Sequence, residues 1–189
     1  QPYPSGTRQK QTGRSDEQDK YQSHKELVKE QVYRLGAGLQ ALGVKKGDTM
    51  ALLSEGRNMW VIGELAMFYA GAVNVPLSIK LEESNDLLFR LIHGDVKYVM
   101  VSGTQLKKVR AIKEKLQMVE KIIIFDKQEE YQEKEISLDD VLKMGEEFLK
   151  THTEEEFHYL HRYRFDRMPH QQVSMLLLFH YKMFFLHNR

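Results

Sequence analysis

The residues that could do chemistry are few and scattered. The 189-residue chain has no cysteine, so it offers no thiolate nucleophile, no thiolate metal ligand and no disulfide framework. Six of its eight histidines are His152, His158, His161, His170, His180 and His187. His158 and His161 stand i, i+3 and would share one face of a helix. No third ligand accompanies them and no H-E-x-x-H occurs, so incidental composition outweighs metal binding. Glutamates at Glu82–Glu83, Glu129–Glu130 and Glu154–Glu156 lie in charged runs. Carboxylates that share acid–base work need surroundings that separate their pKa values, so solvated faces are the plainer reading. The GAG of Gly36 to Gly38 falls inside a helical pattern and is not a dinucleotide fingerprint, and no G-x-x-x-x-G-K-[ST] occurs. One stretch remains: Ser54, Glu55, Gly56, Arg57 and Asn58. It follows a strand pattern and opens a helix pattern, a setting in which backbone N–H groups can bind anions, and Arg57 adds charge. An ordinary connecting loop is the competing reading.

The elements that must position this loop run from Tyr33 to Asp126, where short apolar runs alternate with helical patterns and Gly or Pro marks most junctions. That is how an α/β domain with a parallel sheet is written. A helix is predicted over Ser23–Leu42, with Ser23 and Glu26 as a capping box. Its apolar stripe is Val28, Val32, Leu35, Leu39 and Leu42, and Gly43 stops it. Gly36 and Gly38 cost helix propensity and would permit close backbone packing. Strands are predicted at Met50–Leu53, Val73–Pro76, Tyr98–Val101 and Lys121–Phe125, the last (KIIIF) continuous enough to be buried on both faces. Helices are predicted at Met59–Ala70, from Ser84 or Asn85 to Gly94, at Thr104–Leu116 and near Leu138–Lys150, with Lys127–Glu135 as a polar linker. Trp60, the only tryptophan, reads as core and not as a substrate platform.

Composition bounds the rest. Hydrophobic residues make up 41% and charged residues 29%, which suits a soluble globular chain. The net charge of +1 gives no case for nucleic acid or an anionic membrane. Val173–Leu186 is the longest apolar-rich run, but it falls short of the roughly 20 residues a spanning helix needs. No transmembrane segment is predicted, and a cytoplasmic location is inferred. Residues 1–20 are polar and are expected to be disordered. After Glu156 the composition changes abruptly: no Gly follows Gly145 and no Asp or Glu follows Asp166.

Several motifs in order resemble the large N-terminal domain of adenylate-forming (AMP-binding) enzymes, in particular long-chain fatty acid–CoA ligases. Tyr21–Leu27 is similar to that family's T-Y-x-E-L element. LGVKKGDTMALLSEGRNMW, Leu42–Trp60, is similar to its L-G-V-x-x-G-D stretch, and FYAGAVNVPL, Phe68–Leu77, to its A-G-A-x-x-V-P motif. EKIIIFD, Glu120–Asp126, and ISLDDVLKMGEEF, Ile136–Phe148, resemble the long-chain branch. The resemblance covers about Tyr21–Phe157. It implies a partial flavodoxin-like, doubly wound, mostly parallel sheet with flanking helices, incomplete relative to the family's domain. It divides the chain into a disordered 1–20, an AMP-binding part 21–157 and an off-family, His-rich tail 158–189.

The resemblance also implies the parent activity. ATP and a fatty acid give an acyl-adenylate and pyrophosphate, with Mg²⁺ on the phosphates; CoA then gives the thioester and AMP. The family's phosphate loop, adenine motif, ribose-binding Asp and catalytic Lys match no position here. No catalytic, cofactor-binding or metal residue is carried over, and the chain by itself is expected to be inactive. Where the phosphate loop would follow Phe157, the sequence is HYLHRYRFDRMPHQQ, without Gly. A fragmentary or frameshifted gene is preferred to a truncated piece or a non-catalytic derivative. An incomplete sheet would expose strand edges and invite self-association. A non-catalytic interaction module and a small flavodoxin-like nucleotide-binding protein are the alternatives.

Overall fold

The strands carry apolar side chains on both faces, and the helices divide accordingly. A computed structural model describes residues 12–82 and 86–152, with side chains from Glu26 onward. The elements are α1 (Thr12–Ala41), β1 (Thr49–Leu53), α2 (Asn58–Tyr69), β2 (Val73–Leu77), α3 (Leu88–His93), β3 (Val96–Val101), α4 (Gly103–Ile112), β4 (Lys121–Ile124), β5 (Glu135–Ser137) and α5 (Leu138–Thr151). A short 3₁₀ turn, Lys113–Lys115, extends α4. Among the described residues five strands form one sheet in the order β2-β1-β3-β4-β5, and every pairing is parallel. The α/β, doubly wound expectation therefore holds.

Alternation assigns the faces. Met50 and Leu52 of β1, Tyr98 and Met100 of β3 and Ile123 of β4 pack with Leu35 and Leu39 of α1, Ala66 and Met67 of α2, and Leu138 and Val141 of α5. Ala51 and Leu53, Val99 and Val101, and Ile122 and Ile124 face the other way, against Leu87 and Leu91 beside α3 and Leu106, Val109 and Ile112 of α4. The KIIIF run is thus buried from both sides, as its unbroken apolar character predicts. Each large side chain so buried contributes roughly 1.5–3 kcal/mol relative to exposure.

Gly43 has φ +107 and closes α1, with the Val44 N–H donating to the Leu39 carbonyl. Gly71, φ +79, closes α2 in the same way through Ala72 N–H and the Met67 carbonyl. These are left-handed stops that glycine adopts without a Cβ clash.

Four expectations change. The first helix begins at Thr12 and not at Ser23, so Ser23 lies within it and the proposed capping box does not start it. Residues 12–20, expected to be disordered, are helical: extending a formed helix needs no new nucleus, and Arg, Glu, Gln and Lys are good helix formers. The polar linker ends in a strand, β5, which polar composition concealed. Val28 is 41% exposed, so the buried stripe of α1 is narrower than its pattern. Residues 1–11, the Ser84/Asn85 cap and the tail from 153 lie outside the described residues. Among the described residues no helix is long and apolar enough to cross a membrane.

Candidate functional site

The strand order reverses between β1 and β3. From β1 the chain crosses through α2 to β2 on one side, whereas β3 and β4 build outward on the other. In doubly wound sheets, ligands bind outside the carboxyl ends of the strands at this switch point. The Ser54–Asn58 loop leaves β1 there, and Ser102–Gly103 leaves β3 beside it.

Within the loop, Ser54 is buried and its Oγ donates to the Glu55 carbonyl at 3.1 Å. Glu55 accepts from the Gln105 side-chain amide at 2.6 Å. Gly56 is exposed, and a Cβ there would meet nothing within 4 Å. Arg57 is the N-cap residue of α2, in an extended conformation without a side-chain cap, and Asn58 is exposed at the first helical position.

Arg57 is the centre of the arrangement. Its Nη1 and Nη2 donate to the two carboxylate oxygens of Asp126, at 2.9 and 2.7 Å. Its guanidinium lies 5.9 Å from the centre of the Phe125 ring. Asp126 Oδ2 also accepts the Gly103 backbone N–H at 2.7 Å. Helix α4 has no side-chain cap from Ser102 and no acid in its first turn, so a carboxylate from the end of β4 takes the place of its cap. A Cβ on Gly103 would lie 3.1 Å from Asp126 Cβ, which explains glycine at this contact. One carboxylate thereby ties together the loops after β1, β3 and β4.

The electrostatics follow. The Arg57 fork holds the Asp126 carboxyl below its ordinary range; burial opposes this and the Gly103 amide adds to it. The same pairing raises Arg57. Burial alone would raise the Glu55 carboxyl, but the Gln105 hydrogen bond and the Arg57 charge bring it below its ordinary value. Two carboxylates thus surround one guanidinium. An anion that took up Arg57 or the Gly103 N–H would have to displace Asp126 from them. Among the described residues none forms a group of three or more His, Cys, Asp or Glu able to hold a metal.

The structure therefore gathers Ser54, Glu55 and Arg57 into one network and leaves Gly56 and Asn58 at its surface. Residue reasoning missed Asp126, Gly103 and Gln105. The available signal was an aspartate directly after a strand buried on both faces. Trp60 packs against the apolar cluster on the α1/α2/α5 side, as expected of a core residue. His158 and His161 lie outside the described residues.

Residues 8–162 match the AMP-binding enzyme family. The chain belongs to that family. As an AMP-binding enzyme chain it is 32% identical over 97 residues to luciferin 4-monooxygenase of Photuris pensylvanica, covering 51% of this chain and 18% of that protein. Its fold is similar to that of an anthranilate CoA ligase in complex with anthranoyl-AMP (TM-score 0.57, 23% identity, 61% of this chain and 22% of that one). It is also similar to a long-chain-fatty-acid-CoA ligase from Archaeoglobus fulgidus (TM-score 0.56, 20% identity, 62% and 22%). The AMP-binding chain spans about a fifth of the length of these relatives, so its five-stranded sheet is part of the ligase fold.

Proposed function

We propose that this chain is the N-terminal part of the adenylate-forming domain of an acyl-CoA ligase, of the long-chain fatty acid branch. The observation that carries the reading is the AMP-binding family match over residues 8–162 on a parallel sheet of order 2-1-3-4-5. The long-chain assignment is supported by the Glu120–Asp126 and Ile136–Phe148 motifs, which form β4 with Asp126 just beyond it, and the end of β5 with most of α5. A long-chain-fatty-acid-CoA ligase stands among the similar structures. The parent reaction joins a fatty acid to CoA through an acyl-adenylate, using ATP and Mg²⁺, in the cytoplasm. This chain supplies scaffold to that reaction: its own charged groups at the switch point are committed to each other, and by itself it is inactive.

Two measurements test this. The 189-residue chain is assayed for thioester formation with ATP, Mg²⁺, CoA and palmitate; turnover sinks the inactive reading. Residues 21–157 are then placed in the Archaeoglobus fulgidus ligase in exchange for its matching segment. A folded chimera that forms palmitoyl-CoA supports the long-chain reading, and one that activates only an aromatic acid rejects it.

A second reading is favoured by the Ser54–Asn58 loop standing at the switch point of a flavodoxin-like strand order. It makes the chain a small nucleotide-binding protein. Titration with ATP or FMN that leaves thermal unfolding unchanged disposes of it.

A further inference from the structure

Helix α2 is apolar nearly all round, yet among the described residues one of its sides is left without a core partner. Ile62, Ala66 and Met67 lie in the apolar cluster shared with α1, α5 and the sheet. A Cβ on Gly63 would touch Met100 of β3 and Phe125, so that side faces the sheet. Tyr69 faces α1, its ring edge-on to Tyr33 with 4.5 Å between ring centres. The remaining side carries Val61, Leu65 and Phe68, spaced four and three residues apart, which is the seam spacing of paired helices. Val61 is 37% exposed, Leu65 and Phe68 are part-exposed, and the three belong to neither apolar cluster of the core. A helix that is apolar all round is one that is covered all round.

We propose that this side of α2 is covered by α2 of a second copy of the chain, the two helices lying antiparallel about a two-fold axis. Two observations favour a second copy as the occupant. The first is charge. From Asn58 to Leu77 the sequence carries one charged residue, Glu64, which is 5% exposed and accepts from the Asn74 side-chain amide at 2.7 Å. A two-fold contact brings each patch against itself, and here it brings no exposed like charges of this segment together. A charged partner surface would find no counter-charge on it. The second is size. An antiparallel pair centred on Leu65 sets Val61 of one copy beside Phe68 of the other, small against large at both ends, and that alternation fills a helix interface without voids. Area sets the strength. At 12 residues α2 is about 18 Å long and, with its side chains, about 10 Å wide, well short of the roughly 800 Å² per partner of a stable interface, so the pairing is transient. This inference does not depend on the acyl-CoA ligase reading.

The absence of cysteine makes the test direct. In the full chain, Leu65→Cys is oxidised beside a control, Phe89→Cys, whose position on α3 is 64% exposed and lies on the other side of the sheet. Random collision favours the more exposed Phe89→Cys. The α2 pairing instead gives Leu65→Cys a disulfide between two chains at a rate roughly tenfold that of the control, at a protein concentration of about 100 µM. A rate equal to or below the control overturns the proposal. Sedimentation equilibrium checks it without cysteines. The mean mass of the parent chain should rise from one chain toward two between about 10 µM and about 1 mM, and Val61→Glu, at a position already in contact with solvent, should weaken the pairing about tenfold. A parent mass that stays at one chain, or an unchanged rise in Val61→Glu, overturns it. So does a monomeric chain that co-sediments with phosphatidylcholine vesicles, which would assign this side of α2 to lipid.

Discussion

Gly38 of α1 and Gly145 of α5 are packed backbone to backbone: a Cβ on Gly145 would stand 2.9 Å from the Gly38 amide nitrogen and overlap the Arg34 carbonyl oxygen. A Cβ on Gly38 would in turn overlap the Val141 carbonyl oxygen. Neither obstacle is a side chain that can swing aside. Gly38→Ala and Gly145→Ala should each cost about 3 kcal/mol, at the upper end of overpacking penalties, seen as a lower denaturant midpoint. Gly56→Ala, where the added methyl meets nothing within 4 Å, should stay within about 0.5 kcal/mol and serves as the control.

The Arg57–Asp126 pair makes a pH prediction. Asp126 has a folded-state pKa below its ordinary value, so the stabilisation is fully present above about pH 4 and is lost as pH falls through the depressed value. Stability should therefore drop below about pH 4 in the parent chain and less steeply in Asp126→Asn. Both side chains are about two-fifths exposed (38% each), which limits the effect at neutral pH. Asp126→Ala should cost about 1–2 kcal/mol there, the sum of a partly screened ion pair and a lost helix cap. Urea titrations at pH 3 and pH 7 measure both quantities.

Arg110 and Glu135 pose a harsher case. The Glu135 carboxylate is fully buried and receives Arg110 Nε at 2.8 Å, Arg110 Nη2 at 2.7 Å and the Gln132 backbone N–H at 2.9 Å. Arg110→Ala strands a buried charge and should cost about 3 kcal/mol or more, detaching β5 first. Adding Glu135→Gln should restore part of that loss, because the stranded group is then uncharged. Equal stability of the single and double variants would show that the charge is not what matters.

These sites differ in how far the sequence revealed them. Strands such as Lys121–Ile124 and the inward residues of α4 were readable because one residue type repeats at the right period. The close-packing role expected of Gly38 was readable too, since two glycines inside a helix need a reason. Strand β5 was not: three residues give no period, and Glu135 looks solvent-facing until Arg110 is brought beside it, 25 positions back along the chain. Arg57 could be suspected from its loop, but its engagement with Asp126 spans 69 positions and follows only from the order in which the strands assemble.

Pro76 has a consequence for how copies of this chain can meet. It lies in β2, an outermost strand, opposite Leu52. Val73 turns its N–H inward to the Asp48 carbonyl at 2.8 Å, so by alternation Asn74 and Pro76 face the open side. Pro76 has no N–H to give, so a foreign strand laid along β2 would leave one of its own carbonyls without a donor. Pro76→Val would supply that donor. Light scattering should then register larger assemblies for Pro76→Val than for the parent chain under the same conditions; equal sizes would show that Pro76 does not guard this edge. Among the described residues the other margin of the sheet is β5, three residues long. In this fold a single pyrrolidine ring leaves a gap in the row of donors along one margin of the sheet.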